Sequence, residues 1–460
     1  MIGPTTAAAR ERLGVDEALA TVLARVCTLD NERVALADAL GRVLGADVRA
    51  GWDVPPWPNA AMDGYAVRTI DVAAATEGAP ITLRIVGEVP AGARWHGTLG
   101  TRECVRIATG APVPAGADAV VRVEDTVPAA VDAVSVRDGR DARQQDTAGG
   151  VARRNIRPAG EDLRADAVAA AAGTPVTPGV VGLLAAAGAA QVDVVRRPRV
   201  AIVASGDELV DLDDAGGERA RTGAAIVNAN AYALAALVRT TGGEAVDFGI
   251  APDTPDGVRD RIAAARDAGC DVVLTTGGVS VGPRDLVRPA VDALGGTLAF
   301  WRVRMRPGGP LAFGALPPRG ETAGGPAVPW FGLPGNPVST AVTFALFVRP
   351  LLRAMAGDAR PFRRTLRATL GEPLRTAAPL THFLRATLAT DDAGEIVARL
   401  TGPQGSGLLS SVAAADALVV VPASVRALPA GAPIRALPLG GDALAGDPFA
   451  CAERPSYEGA

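Results

Sequence analysis

The chain has 460 residues and a formal net charge of −4, so it is long enough for several domains with separate cores and lacks the positive excess of a nucleic-acid-binding surface. All 46 of its basic residues are Arg, which with the abundance of Ala, Gly and Pro reads as a coding bias and not as a functional device. Four widely spaced cysteines (Cys27, Cys104, Cys270, Cys451) form no C-x-x-C pair and fit a reducing compartment, and His96 and His382 are too few for a His-built metal site.

No positive stretch followed by an apolar run opens the chain, so no signal peptide is expected. Residues 15–26 and 35–44 read as amphipathic helices. From 71 to 136 the pattern changes to short apolar or alternating runs separated by Gly and Pro, at 81–86, 103–107 and 119–124, which predicts an inserted β-rich unit. Residues 138–150 are polar and Gly-rich and read as a loop. Residues 167–192 lack any charge, but Gly173, Pro175, Pro178, Gly179 and Gly188 break the run. Buried helices joined by turns are expected there, with no membrane span.

The next segment repeats one design. Apolar runs at 200–204, 271–276 and 328–333 each lead into a Gly loop: Ser205-Gly206-Asp207-Glu208, then Gly277-Gly278-Val279-Ser280-Val281-Gly282, then Pro334-Gly335-Asn336-Pro337-Val338-Ser339. Helical patterns follow the last two, at 285–294 and 339–352. Asn336 suits an N-cap, and Pro337 suits a first turn, which has no use for its missing N–H. Free N–H groups at such a turn favour anions. A single loop of this kind is equally an ordinary tight turn; three of them argue for a parallel α/β sheet with its ligand at the strand ends. Neither G-x-G-x-x-G nor G-K-[ST] occurs, so a phosphate-bearing ligand other than a dinucleotide is expected. After 357 the chain returns to short strands at 363–370, 383–390, 396–400, 418–421 and 432–437, a small all-β domain, and 441–460 reads as a mobile tail.

Two clusters could carry chemistry. Strand alternation over 301–306 would put Arg302, Arg304 and Arg306 on one face, facing either water or an oxyanion suited to guanidinium forks. Glu208, Asp253 and Asp285 fall at predicted strand ends, where they are either turn and cap residues or donors for Mg²⁺, which takes one or two carboxylates plus phosphate oxygens and water. No Ser-His-Asp set, Cys-His pair or zinc cluster is present, so nucleophilic catalysis is not expected.

The wording of the motifs resembles the molybdopterin molybdenumtransferase (MoeA) family, which includes the gephyrin E domain. The matching stretches are NAAMDGYAVR (59–68), RIATGAPVPAGADAVV (106–121), NIRPAGED (155–162), SGDEL (205–209), TTGGVSVGPRD (275–285), PGNPVS (334–339) and GSGLLSSVAAADAL (405–418). The resemblance implies a multidomain α/β protein with a central parallel molybdopterin-binding domain (178–357). It adds an N-terminal mixed domain (1–50 with 151–177), an inserted β-rich domain (51–150), a small C-terminal β-barrel (358–440) and the tail.

It also implies that adenylylated molybdopterin is bound, that AMP is released with Mg²⁺, and that molybdate is inserted. Asp63, Thr109, Arg157, Asp162, Glu208, Asp285, Arg302 and Arg306 would serve the reaction, with Glu208, Asp253 and Asp285 toward the metal. Ser205, Gly206, Thr276, Gly277, Gly278, Ser280, Gly282, Pro334, Gly335, Asn336, Pro337 and Ser339 would hold the pterin phosphate, with Arg385 and Ser406 or Ser410 as further anion contacts. A cytoplasmic homodimer is implied, with the site formed between domains of both subunits, and the molybdopterin adenylyltransferase and apo-molybdoenzymes as partners. Alternative readings are the adenylyltransferase itself, which shares the TTGG wording, and a non-catalytic gephyrin-like scaffold. The chain departs from the family at Gly309, where K-P-G-K-P would place a Lys, and at 57–64, where F-D-N-S-A-M-D-G has lost an Asp and a Ser.

Overall fold

The computed structural model describes residues 10–143, 154–278, 285–318, 325–376, 379–391 and 393–440. Ser280, Gly282 and the tail at 441–460 lie outside the described residues. The chain divides into two compact units, residues 33–194 and residues 1–32 with 195–460.

The larger unit is built on a seven-stranded sheet. Its strands are β1 (Arg10–Leu13), β2 (Arg199–Ser205), β3 (Glu244–Ala251), β4 (Val272–Thr276), β5 (Thr297–Val303), β7 (Ala312–Leu316) and β8 (Val328–Leu333), with the short β6 (Met305–Arg306) continuing β5 outside it. The order is β1-β5-β7-β8-β4-β2-β3. β8, β4, β2 and β3 run parallel, as the strand–loop–helix pattern predicts, whereas β7 is antiparallel to both β5 and β8. The sheet is therefore mixed. The turn from β5 through Pro307–Pro310 is too short for a crossover helix and returns the chain as a hairpin-like pair.

Both faces of this sheet are covered, so its strands read as unbroken apolar runs. In β8, Phe331 joins one core with Phe300 and Phe313, and its neighbour Trp330 joins the other with Val273, Ile262 and Val287. Helices α1 (Val15–Leu23), α2 (Ala229–Thr241), α3 (Pro255–Asp267), α4 (Val287–Ala293) and α5 (Pro337–Thr343) pack around it. α5 runs on through Phe344–Val348 to Arg349–Met355. This continuous helix, residues 337–355, is long and apolar enough to cross a membrane, but its apolar side chains are taken up by the sheet core.

Beyond it, five strands close into a barrel: β9 (Leu366–Leu370), β10 (Thr381–Thr390), β11 (Ile396–Leu400), β12 (Ala417–Val421) and β13 (Pro433–Pro438). Closure comes from the ten-residue β10, which pairs with β12 over His382–Ala386 and with β11 over Ala386–Thr390. β6 adds parallel to the start of β10.

The smaller unit holds a six-stranded sheet in the order Ala119–Arg122, Gly64–Val67, Glu103–Ile107, Ile81–Val89, Ala133–Val136, Thr126–Ala130. The helix expected over 35–44 is absent. A single 3-10 turn, Leu36–Asp38, is followed by Gly41 at φ 77, and Val43 and Leu44 then bridge to Pro175 and Val194. Leu40, which the helical pattern would put inside, is exposed. Over 167–192 one helix forms, Pro178–Ala186, capped by Thr177, between the strands Val168–Ala170 and Gln191–Val195.

Candidate anion site at the strand ends

Register brings the three Gly loops together. Ala204 lies opposite Thr276, and Thr276 opposite Leu333, so β2, β4 and β8 end at one edge of the sheet. Gly277 and Gly278 have φ of 90° and 61°. A Cβ on Gly277 would sit 2.7 Å from the Ser205 carbonyl oxygen, and one on Gly278 would sit 2.9 Å from Val287. Gly335 packs against Gly277 in turn. These loops need glycine because the backbone must both turn left-handed and approach its neighbours without a side chain between.

Around the loops lies a cleft of about 380 Å³. Ser205, Gly206, Gly277, Gly278, Gly335 and Asn336 line it with backbone and small polar groups, and Glu208, Asp253 and Asp285 bring three carboxylates into it. The Glu208 carboxylate folds back over Gly206, and the Asp253 N–H donates to Asp207 Oδ1 (3.3 Å), tying the first Gly loop to the loop after β3. A phosphate held by the loop N–H groups would meet three negative side chains, an arrangement that is favourable only with a cation between them. The donors are all hard oxygens. Among the described residues no three His, Cys, Asp or Glu side chains close into a metal cage. Such a set fits Mg²⁺, which keeps several waters and takes remaining ligands from phosphate oxygens.

One residue missed in the sequence holds the loops in register. Asn230, on the first turn of α2, donates from Nδ2 to Thr276 Oγ1 (2.9 Å) and to the Gly335 carbonyl (2.8 Å). Only the N-A-N wording at 228–230, before an apolar helix, could have signalled it.

Several other candidates sit elsewhere. Asn336 occupies the N-cap position of α5 and Pro337 its first turn, but the Asn336 side chain makes no cap hydrogen bond and lies on the cleft wall instead. The Thr340 hydroxyl takes up the loop, donating to the Pro334 and Asn336 carbonyls. Ser339 is buried against the helix, so its hydroxyl is not among the cleft-lining groups.

The arginine face is broken. Arg302 has φ 70, and its guanidinium lies 4.4 Å from the Trp301 ring centroid, with that of Arg288 at 4.3 Å. Arg304 and Arg306 point outward between buried Val303 and Met305, and of this stretch only Pro310 lines the cleft. Arg385 is fully buried in the barrel. It donates to Ser411 Oγ (3.0 Å) and to the carbonyls of Gln404 (3.3 Å), Pro403 (3.4 Å) and Gly405 (3.0 Å). Arg385 braces the loop 403–405, and its hydroxyl partner is Ser411, not the exposed Ser410 or the half-buried Ser406.

In the smaller unit, Asp63 precedes the strand Gly64–Val67, and its Oδ1 accepts from the Thr109 N–H (2.7 Å) and hydroxyl (2.8 Å). These two bonds favour the carboxylate and hold its pKa below the usual range. Arg157, paired opposite Asn59, and Asp162 are both exposed on the 155–162 segment. Thr109→Val should remove one of the two bonds and raise the Asp63 pKa toward the ordinary value, read by NMR titration of the carboxyl carbon. The sign follows: a depressed folded-state pKa adds stability at neutral pH that is lost as pH falls through it, and the variant should lose less on acidification. An unmoved pKa would show that the backbone N–H alone sets it.

Glycine loops meeting three carboxylates at the ends of parallel strands define the class: an α/β protein whose strand-end cleft suits an anionic ligand with a hard cation. Comparison with known proteins gives the family. Residues 13–188 match the MoeA N-terminal region (domain I and II), 201–354 a probable molybdopterin binding domain, and 367–439 the MoeA C-terminal region (domain IV). The chain is 35% identical over 418 residues to a molybdopterin molybdenumtransferase of Nostoc sp., covering 89% of each. It is 35% identical to molybdopterin molybdenumtransferase 1 of Mycobacterium tuberculosis over 436 residues, 91% of this chain and 96% of the other. A crystal structure of the molybdopterin biosynthesis moeA protein from Pyrococcus horikoshii superposes with a TM-score of 0.74 at 29% identity, covering 93% of this chain and all of that one. The chain belongs to the molybdopterin molybdenumtransferase family. Matches to all three regions do not favour an adenylyltransferase, which needs the α/β domain alone, and the names of the relatives do not favour a scaffold.

Proposed function

We propose that this chain is a molybdenumtransferase that binds adenylylated molybdopterin, releases AMP and leaves molybdenum on the pterin dithiolene. The observation that carries the reading is the single cleft in which Gly206, Gly277, Gly278 and Gly335 meet Glu208, Asp253 and Asp285. In this reading the loop N–H groups hold the pterin phosphate, with Thr276 and Asn230 fixing the loops. Glu208, Asp285 and Asp253 hold Mg²⁺, which when bound supplies charge neutralisation on the pyrophosphate as AMP departs. Arg302 and Arg306 draw molybdate toward the site, and Asp63, Thr109, Arg157 and Asp162 serve the reaction.

The same reading takes the chain as five segments (1–50 with 151–177, 51–150, 178–357, 358–440, 441–460) in a cytoplasmic homodimer. The adenylyltransferase would supply its substrate, and apo-molybdoenzymes would receive its product. The test is AMP release from adenylylated molybdopterin by the purified protein with Mg²⁺, with and without molybdate. Molybdate-dependent release, yielding cofactor that activates an apo-molybdoenzyme, is expected; binding without turnover would overturn the assignment.

Gly309 offers a second check. A Cβ there would meet only the Met305 and Val303 carbonyls, at 3.3 and 3.5 Å, and the neighbouring Pro310 lines the cleft. Gly309→Lys should therefore fold and add a cation near the cleft mouth. The molybdate concentration for half-maximal AMP release should fall; an unchanged value would mean that the arginines already supply the charge.

A further inference from the structure

A second cavity, of about 130 Å³, lies between α2, the helix that continues α5, and the barrel, and shares no lining residue with the cleft. Its walls include apolar side chains of Leu237 on α2, Phe344 on the helix, Val412 on the short helix Leu409–Ala413 and Leu418 on β12. Arg349 and Arg363 enter the same space. Each guanidinium is held by main-chain oxygens. Arg349 Nη1 donates to the Pro361 carbonyl (2.8 Å), and Arg363 Nη1 donates to the carbonyls of Pro438 (2.8 Å) and Leu439. Neither has a carboxylate partner among the described residues. The nearby Asp358 is taken by Arg353, through Nε (2.9 Å) and Nη2 (2.8 Å). The third arginine on this wall, Arg385, has spent its N–H groups on the 403–405 loop and Ser411.

Two like charges half-buried beside hydrocarbon are costly unless something opposes them. Burial and the neighbouring Arg363 and Arg353 pull the Arg349 pKa down to about 10, against the opposing pull of Asp358. The fold keeps both arginines fixed by carbonyls while their other N–H groups find no carboxylate among the described residues. We propose that this cavity binds a small organic anion, a carboxylate on a compact apolar body, with the carboxylate between Arg349 and Arg363 and the body against Leu237, Phe344 and Leu418. The cavity bounds the size: at about 130 Å³ it is a little smaller than the dry pocket of about 150 Å³ that accepts a benzene ring, so the apolar body can be no more than one ring, with the carboxylate at the arginines.

Benzoate is the probe. Full-length protein titrated with benzoate by calorimetry should show one saturable site, with the isosteric neutral benzamide at least about tenfold weaker, as expected for loss of charge-assisted bonds. Inorganic phosphate, which has the charge without the apolar body, should compete poorly. Arg349→Gln and Arg363→Gln should each weaken benzoate about tenfold or more, with folding checked by thermal melting. Ala345→Phe, which fills the cavity from the helix and leaves both arginines in place, should abolish binding and covers the case in which an arginine variant fails to fold. Absence of saturable benzoate binding, equal affinity for benzamide, phosphate competing as well as benzoate, or benzoate binding that survives Ala345→Phe would each overturn the proposal.

Discussion

Asp285→Ala is expected to abolish molybdate-dependent AMP release while leaving the fold intact. Asp285 sits between the Gly277-Gly278 loop and α4 and lines the cleft with Glu208 and Asp253. Removing it takes away one of three hard oxygen donors, where the reading places a cation against the leaving pyrophosphate. Losing a pre-placed electrostatic group of this kind costs turnover roughly 10²-fold or more. The residue is only half-buried at the sheet's ligand edge, so stability should change by no more than about 1 kcal/mol. Single-turnover AMP release beside a denaturant melt separates the two effects. Turnover at the wild-type rate would remove Asp285 from the mechanism, whereas a collapse in stability would make its role structural.

Gly277→Ala should act on the site through the backbone. At φ 90 an L side chain is strained, a cost of roughly 1–3 kcal/mol, and the new Cβ would stand 2.7 Å from the Ser205 carbonyl. Since that neighbour is main chain, relief requires the Gly277 loop to move off the Ser205 loop, and the pterin phosphate would lose the concerted N–H groups that the reading assigns it. The expected result is a loss of stability of that size together with a loss of pterin binding, measured by urea denaturation and by ligand titration. Gly217→Ala is the control. That glycine is in the helix Asp214–Arg221 with open space around its Cβ, so alanine there should be neutral or stabilising by up to about 1 kcal/mol. Unaltered binding in Gly277→Ala would mean that the loop tolerates opening and that the phosphate is held elsewhere.

The features legible in the sequence were those set by local rules with one solution. Strand–Gly-loop–helix units place loops at one sheet edge, and from that follows the meeting of Gly206, Gly277, Gly335 and the three carboxylates in one cleft. The five barrel strands were legible as short alternating runs. Their closure into a barrel was expected only through the family resemblance, because it depends on β10 sharing its length between two partners far apart in sequence. Period-two alternation failed at 301–306 since Arg302 leaves the strand conformation to stack on Trp301, a tertiary contact that spacing cannot show. Residues 35–44 have helical spacing, but Gly41 and bridges to Pro175 and Val194 decide the matter. Asn230 escaped notice because an Asn on a helix has no local signature when its partners lie 46 and 105 positions away. Arg385 fits an anion contact by motif, yet a fully buried guanidinium among four acceptors is committed before any ligand arrives.

The course of β5 into β6 has a consequence for how the larger unit can be taken apart. Within three residues one strand leaves the central sheet at Val303 and joins the barrel at Met305, whose register partner is Thr381. The linker from Gly357 to Thr365 is therefore not the barrel's sole tether. A protease that nicks the exposed stretch around Arg360 or Arg364 would leave two fragments still hydrogen-bonded through Met305 and Arg306 and migrating as one species until denatured. A truncation ending at 357 would instead strip that short strand of its mate and bare an unpaired edge, so a shortened protein should invite strand-to-strand association where the intact chain does not.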